Sequence, residues 1–329
     1  MQPPKFWGNP NSSVISVLLR PAACLYNLAG TLRHKLASPW EAPVPIICVG
    51  NLVAGGAGKT PVVLKILEML KQRGNSPHAL SRGYGGAMAG PTQVDPEHHT
   101  YAETGDEPLL LAGYAPTWIS IDRVQGVQAA TDADVIVMDD GFQNPSLFKN
   151  LSFLVVDGRY GFGNGQVIPA GPLREPVKDG LQRANAVVLI GEDSAKVEET
   201  IRDNCEKEIP ILRASFVAGP EASELQGRPV CAFAGIGNPR KFFKTLEEID
   251  CTIIEQISFA DHHPYSISEV NTLKETAEKK NTILVTTEKD AVRLPDSTRD
   301  GIKILTIDLK WNDEAAVHTL LDQLNLNGG

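Results

Sequence analysis

A chain of 329 residues is longer than one hydrophobic core usually serves, and with 42% hydrophobic and 22% charged residues it can fill two. A formal net charge of -9 argues against general affinity for nucleic acid, whose phosphates are held mainly by Lys and Arg. Five widely spaced cysteines with no C-x-x-C pair suggest neither a disulfide framework nor a zinc site, and fit a reducing cytoplasm.

Along residues 1–40 the charged side chains are Lys5, Arg20, Arg33 and Lys35, all basic. Residues 14–36 between them are largely apolar, interrupted by Arg20 and Pro21, and Pro21 predicts a kink. Segment 1–36 therefore reads as an amphipathic helix pair lying in a membrane interface, rather than as a span or a cleaved signal. A helix packed on the protein's own core is the alternative. Next come a buried strand at 44–50 and a helix from Thr60, with Pro61 near its first turn and Gly74 as its stop. Further strands are predicted at 117–121, 134–138, 151–156, 186–190, 230–234, 282–286 and 302–307. Helices fall between them at 108–114, 124–130, 196–205, 241–249, 268–280 and 314–324. The alternation implies an α/β protein with parallel sheet, helices on both faces and ligands at the carboxyl ends of the strands. Gly, Pro and polar residues cluster at 216–229, dividing a larger unit at 37–215 from a smaller α/β unit at 216–329.

The stretch GNLVAGGAGKTP, residues 50–61, lies between that first strand and helix. Backbone N-H groups in such a loop converge on phosphates, aided by the helix N-terminus and one lysine. Gly55, Gly56, Ala57 and Gly58 supply the backbone, Lys59 the charge and Thr60 a hydroxyl for Mg²⁺. Val53 replaces the usual outermost glycine, but the working donors begin at Gly55, so the anion site survives. Ala54 stands where nucleotide-switched ATPases carry an extra lysine, which argues against that class. In DVIVMDDGFQN the apolar strand ends in Asp139 and Asp140, carboxylates suited to a metal shell. Asp106 and Glu107 open a helix, where Thr104 with Glu107 also fits a capping box. Asp261, His262 and His263 follow a strand-like run and suit proton transfer or a turn better than zinc. Glu288, Lys289 and Asp290 end another strand, as nucleotide-base contacts or as an ordinary helix start. Arg174 and Glu175 sit on a Pro- and Gly-framed loop, offering a phosphate grip and a further carboxylate.

Taken in order, GNLVAGGAGKTP, SRGYGG, GDEP, DDGFQ, PAGPLREP, FADHHPY and TTEKDAVRL resemble the tetraacyldisaccharide 4'-kinase family of lipid A biosynthesis. The resemblance implies a P-loop NTPase-like domain and a smaller second domain that closes over the nucleotide. It implies ATP-dependent phosphorylation of the 4'-hydroxyl of an acylated glucosamine disaccharide 1-phosphate at the cytoplasmic face of a Gram-negative inner membrane, with no obligate protein partner evident. Lys59 and the loop would hold ATP, and Thr60, Asp139, Asp140, Glu107 and Glu175 would surround Mg²⁺. Asp106 coupled to His262 would act as base, and Ser81, Arg82, Tyr84, Arg123, Gln143 and Arg174 would hold the acceptor. Gly86 departs from the family's frequent Arg in SRGYGG. Two other classes remain open at this level: a nucleotide-switched delivery protein, and a kinase for a water-soluble acceptor.

Overall fold

Apolar, β-branched runs form strands buried from both sides wherever helices cover both faces of a sheet. A computed structural model describes residues 4–8 and 13–324. Its strands are β1 (Ile46–Gly50), β2 (Pro77–Ser81), β3 (Thr92–Gln93), β4 (Thr117–Ile119), β5 (Val135–Asp139), β6 (Leu151–Asp157), β7 (Ala186–Ile190), β8 (Ile211–Ala218), β9 (Pro229–Ala234), β10 (Thr252–Ser258), β11 (Ile283–Thr287), β12 (Ile302–Leu305) and β13 (Ile307–Trp311). The first sheet has the order β13-β8-β7-β6-β1-β5-β2-β4-β3 and the second β10-β9-β11-β12. The second is parallel throughout, and the first is parallel except for its two edge pairs, β13 on β8 and β3 on β4. β1, β5 and β7 are buried along their whole length. Two helices matter most below: α1 (Val14–Leu36) and α2 (Lys59–Gln72).

Sheet membership departs from a division at residue 216. β8 continues to Ala218 in the first sheet, and β13 returns to pair with it, Asp308 opposite Val217. The last helix, Glu314–Asp322, then buries Val317, Leu320 and Leu321 in the same core as Val63, Ile66 and Leu70 of α2. The run expected as one strand at 302–307 is thus two strands in two sheets. The chain crosses between the sheets at Gly219 and Thr306, where Gly219 N donates to Thr306 O at 2.9 Å. The second sheet is an insertion between β8 and β13.

The helix pair expected at the N-terminus is one helix. α1 runs 23 residues through Pro21, capped by Ser13, whose side chain accepts from Ser16 N. Proline removes one backbone hydrogen bond there without ending the helix. At 100° per residue, Val14, Leu18, Leu25, Leu28, Leu32 and Leu36 fall within about 80° of one another, and all six are exposed. Ser16 and Ala23, the buried residues of α1, lie about 180° around from that stripe. Ser16 Oγ donates to Ala170 O at 2.8 Å, so the helix docks by one face and turns its apolar stripe outward. By length and composition α1 could also cross a membrane, with a mean hydropathy of 1.3 over an 18-residue window.

Candidate active site

β1 delivers the chain into the loop 51–58 and α2 begins at Lys59. Gly55, at φ 125°, occupies a backbone region that favours glycine, and no heavy atom lies within 4 Å of a Cβ built on Gly55 or Gly56. That face of the loop is open. The half before it is stitched down: Val53 is buried and bridges Leu173, Ala54 N donates to Pro172 O at 2.8 Å, and Arg174 N donates to Leu52 O at 2.7 Å. Ala57 turns its methyl into the core. Lys59 Nζ lies 3.3 Å from Asn51 Oδ1 and 3.6 Å from Asp140 Oδ1, and half-buried Thr60 follows on the first turn.

Asp139 ends β5 beside Val49 of β1, which brings the acidic pair to the loop. It is 2% exposed and its Oδ1 has no hydrogen-bond partner. Burial, then the nearby charge of Glu107, raises its carboxyl well above the usual carboxylate range, against the pull of Lys59. Burial pushes Asp140 the same way, but Lys59 and Arg174 hold it below the usual range, Arg174 Nη1 donating to its Oδ1 at 2.9 Å. Among the described residues no three His, Cys, Asp or Glu side chains form a metal cluster. Magnesium needs only one or two carboxylates when phosphates and water complete its shell, and the unpartnered Oδ1 of Asp139 fits that requirement. Glu175 does not: its Oε1 accepts from Gln143 at 3.0 Å and its Oε2 pairs with Arg183. Gln143 also donates to Asn51 O at 2.9 Å and accepts from Arg174 at 3.3 Å. Glu175 and Gln143 therefore brace the loop, where a metal contact and an acceptor contact were expected.

A second cluster of ionisable side chains is drawn from both units. Asp106 is 4% exposed at the start of the helix Asp106–Ala112, and its Oδ2 lies 2.8 Å from His262 Nδ1. Lys289 Nζ and Arg293 Nε each stand 3.8 Å from the same oxygen, and Lys289 donates to Glu107 Oε1 at 3.1 Å. Burial raises the Asp106 pKa, but His262 and Lys289 outweigh it and hold the carboxyl low. The hydrogen bond that His262 makes to the Asp106 carboxylate lifts its pKa above 6.5 despite burial. The expected capping box at Thr104 and Glu107 is instead formed by Thr100 and Glu103, which leaves Glu107 free to pair. Of the two adjacent histidines, His262 faces the site; His263 stacks on Phe259 at 4.6 Å and meets Glu269 at 3.1 Å.

A family model described as tetraacyldisaccharide-1-P 4'-kinase matches residues 15–325. The chain belongs to that family. It is 51% identical to the tetraacyldisaccharide 4'-kinase of Rhodospirillum centenum, covering 98% of this chain and 97% of that one. It is 46% identical to the Gluconobacter oxydans protein of the same name, over 98% of each. Its fold matches the crystal structure of LpxK from Aquifex aeolicus in complex with ATP at a TM-score of 0.76 and 27% identity, over 94% of this chain and 99% of that one.

Within this family member the remaining expected residues divide into those at a second cleft and those buried in the structure. Arg82 and Tyr84 line a cleft of about 290 Å³ with Met88 and Ile121, next to buried Ser81 at the end of β2. Arg123 is buried and its Nε has no partner; burial and then Arg82 pull its pKa down to about 10. A Cβ on Gly86 would stand 2.5 Å from Glu103 O, so glycine is what this turn accommodates. Asp290 is no nucleotide contact: fully buried, it accepts from Gly235 N at 2.8 Å, Tyr265 Oη at 2.7 Å and Arg293 Nη2 at 2.8 Å. Glu288 accepts from Tyr114 Oη at 2.5 Å, and Lys289 holds Asp106 and Glu107, so neither reaches for a base here. Asn51, fully buried in the phosphate loop, was not singled out from the sequence.

Proposed function

We propose that this protein carries out its family's reaction, ATP-dependent phosphorylation of the 4'-hydroxyl of tetraacyldisaccharide 1-phosphate in lipid A biosynthesis, with its two sheets dividing the chemistry. The loop backbone from Gly55 to Gly58 and Lys59 bind the ATP phosphates, and the pair Asp106 and His262 takes the proton from the sugar hydroxyl. The observation that carries this is the Asp106–His262 hydrogen bond, which joins an acid of the first unit to an imidazole of the second. As the hydroxyl oxygen bonds to the γ-phosphorus, the bond to ADP breaks and the proton passes to Asp106, with His262 sharing the charge. His262, raised by the carboxylate it pairs with, is the member of the pair whose proton affinity lies nearest neutral pH, so it retains the proton that Asp106 receives. Mg²⁺, when bound by Asp139 with Asp140, Thr60 and Glu107 nearby, would neutralise charge on the transferring phosphoryl group. Arg82, Tyr84 and Arg123 hold the acceptor, the unpartnered Nε of Arg123 being suited to an anion.

A four-chain acyl substrate stays in the bilayer, and the outward stripe of α1 takes the enzyme to it. Each large side chain in the stripe contributes about 1.5 to 3 kcal/mol if fully buried, enough together for attachment to the cytoplasmic face of the inner membrane without a span. The test is incubation with labelled ATP and tetraacyldisaccharide 1-phosphate: a labelled bisphosphorylated lipid is expected. Nucleotide hydrolysis without labelled lipid, under conditions where a known family member works, would favour a nucleotide switch instead.

A further inference from the structure

The phosphate loop lacks its outermost glycine, and a single buried side chain occupies the space behind it. Asn51 follows β1 directly and is fully buried. Its Nδ2 donates to Val53 O at 2.9 Å and to Gly55 O at 3.4 Å, while its Oδ1 accepts from Lys59 at 3.3 Å. All three bonds stay within the loop.

In a trans peptide the carbonyl of one residue and the N-H of the next point in opposite directions. Drawing the Val53 carbonyl onto Asn51 therefore sends the Ala54 N-H the other way, where it meets Pro172 O at 2.8 Å. Drawing the Gly55 carbonyl onto Asn51 likewise aims the Gly56 N-H outward, across the face that is open around Gly55 and Gly56. The carboxamide thus collects two carbonyl oxygens on one side of the loop, which ties the Ala54 N-H to Pro172 and leaves the Gly56 N-H on the open face. Through Oδ1 it also holds the Lys59 ammonium beside Asp140.

We propose that Asn51 is a positioning residue for ATP phosphates, its carboxamide performing the loop-shaping that the missing glycine performs elsewhere. A packed, β-branched Val53 is compatible with phosphate binding because the peptide planes are set from Asn51 and not by backbone freedom at position 53. The same logic makes the backbone O of Asn51, held by Gln143, a fixed point for the whole device.

The inference rests on the ATP-binding reading of the loop, and the experiment separates the two. Asn51→Asp keeps an acceptor for Lys59 and removes both donors; Asn51→Ser keeps one short donor and carries the test whether or not the first variant folds. Affinities for ATP and for adenosine, and the KM of the lipid, are measured on full-length protein with melting temperatures alongside. Expected is a loss of about 10- to 100-fold in ATP affinity for Asn51→Asp and a smaller loss for Asn51→Ser. Adenosine affinity and lipid KM should stay within about twofold in both. An unchanged ratio of ATP to adenosine affinity would overturn the proposal, as would ATP, adenosine and lipid affinities falling together with the melting temperature. Wild-type protein that bound no ATP would instead overturn the reading beneath it.

Discussion

The phosphate half of the site and the proton half are built by opposite strategies. The loop from Asn51 to Lys59 is held by one unit: β1 behind it, residues 172–174 alongside, and Gln143 and Asn51 within. The Asp106–His262 pair exists only while two units are docked, with Lys289 and Arg293 arriving from the same side as His262. On the proposed function, nucleotide binding would rest on one folded unit, whereas transfer would rest on a relationship between two.

Substitutions on each side should separate the halves. Asp106→Asn should lower kcat by roughly 10² to 10⁴ with ATP affinity retained, and adding His262→Gln should cost far less than its single effect because the two act as a unit. Turnover at saturating lipid, with ATP affinity measured independently, checks this, and near-normal turnover of Asp106→Asn would remove the base assignment. Lys59→Ala should do the reverse in kind, losing about 10²-fold in transfer together with ATP affinity. Lys289→Met should cost about tenfold in kcat, leave ATP binding intact and increase hydrogen exchange at the helix Asp106–Ala112; weakened ATP binding would return Lys289 to the nucleotide side. Serine at Leu18, Leu25 and Leu32 should reduce co-sedimentation with anionic vesicles several-fold with little change in melting temperature, since the stripe is largely exposed.

The smallest effect is on pH dependence. His262 has a raised pKa, so its contribution to docking is fully present below about 6.5 and is lost as pH rises through the raised value. Asp106 has a lowered pKa, so its contribution is present above 3.8 and is lost as pH falls through the lowered value. Docking should be firmest in mildly acidic solution and loosen on the alkaline side. Limited proteolysis at the sheet crossings, from about pH 6 to about pH 9, reads this out, and His262→Gln should flatten the response.

Much of this was legible because burial writes itself into composition. β5, β6 and β7 read directly from runs of Val, Ile and Leu, and β1 from Ile46 to Gly50. β10 was not, because an edge strand alternates partly buried and exposed side chains and Glu255 and Gln256 break the apolar signal. β2 hid behind a first-residue proline and a buried His78. Pairing partners leave no local mark, so the return of β13 to β8 could not be read, and one β-branched run was assigned to a single strand. At the site, the positions of Lys59, Asp139 and Asp106 at strand and helix ends were legible as motif, while of the two readings of Asp290 the helix start is the one the structure shows, because a carboxylate buried among its own donors and a ligand-binding one look alike in sequence. Asn51 did carry a signal: a polar residue directly after a fully buried strand needs partners, and they were close at hand.

The crossing of the chain at Gly219 and Thr306 also sets an order of events during synthesis. β13 and the helix Glu314–Asp322 follow the entire second sheet in the chain yet complete the core that β1 and α2 begin, so that core cannot close until the second sheet's segment has been made. The same topology makes the link between the sheets a doubled one, two paired strands in place of a single tether, which admits bending along one axis and resists twist. A bend between the sheets would follow that axis, as a page turns about a spine.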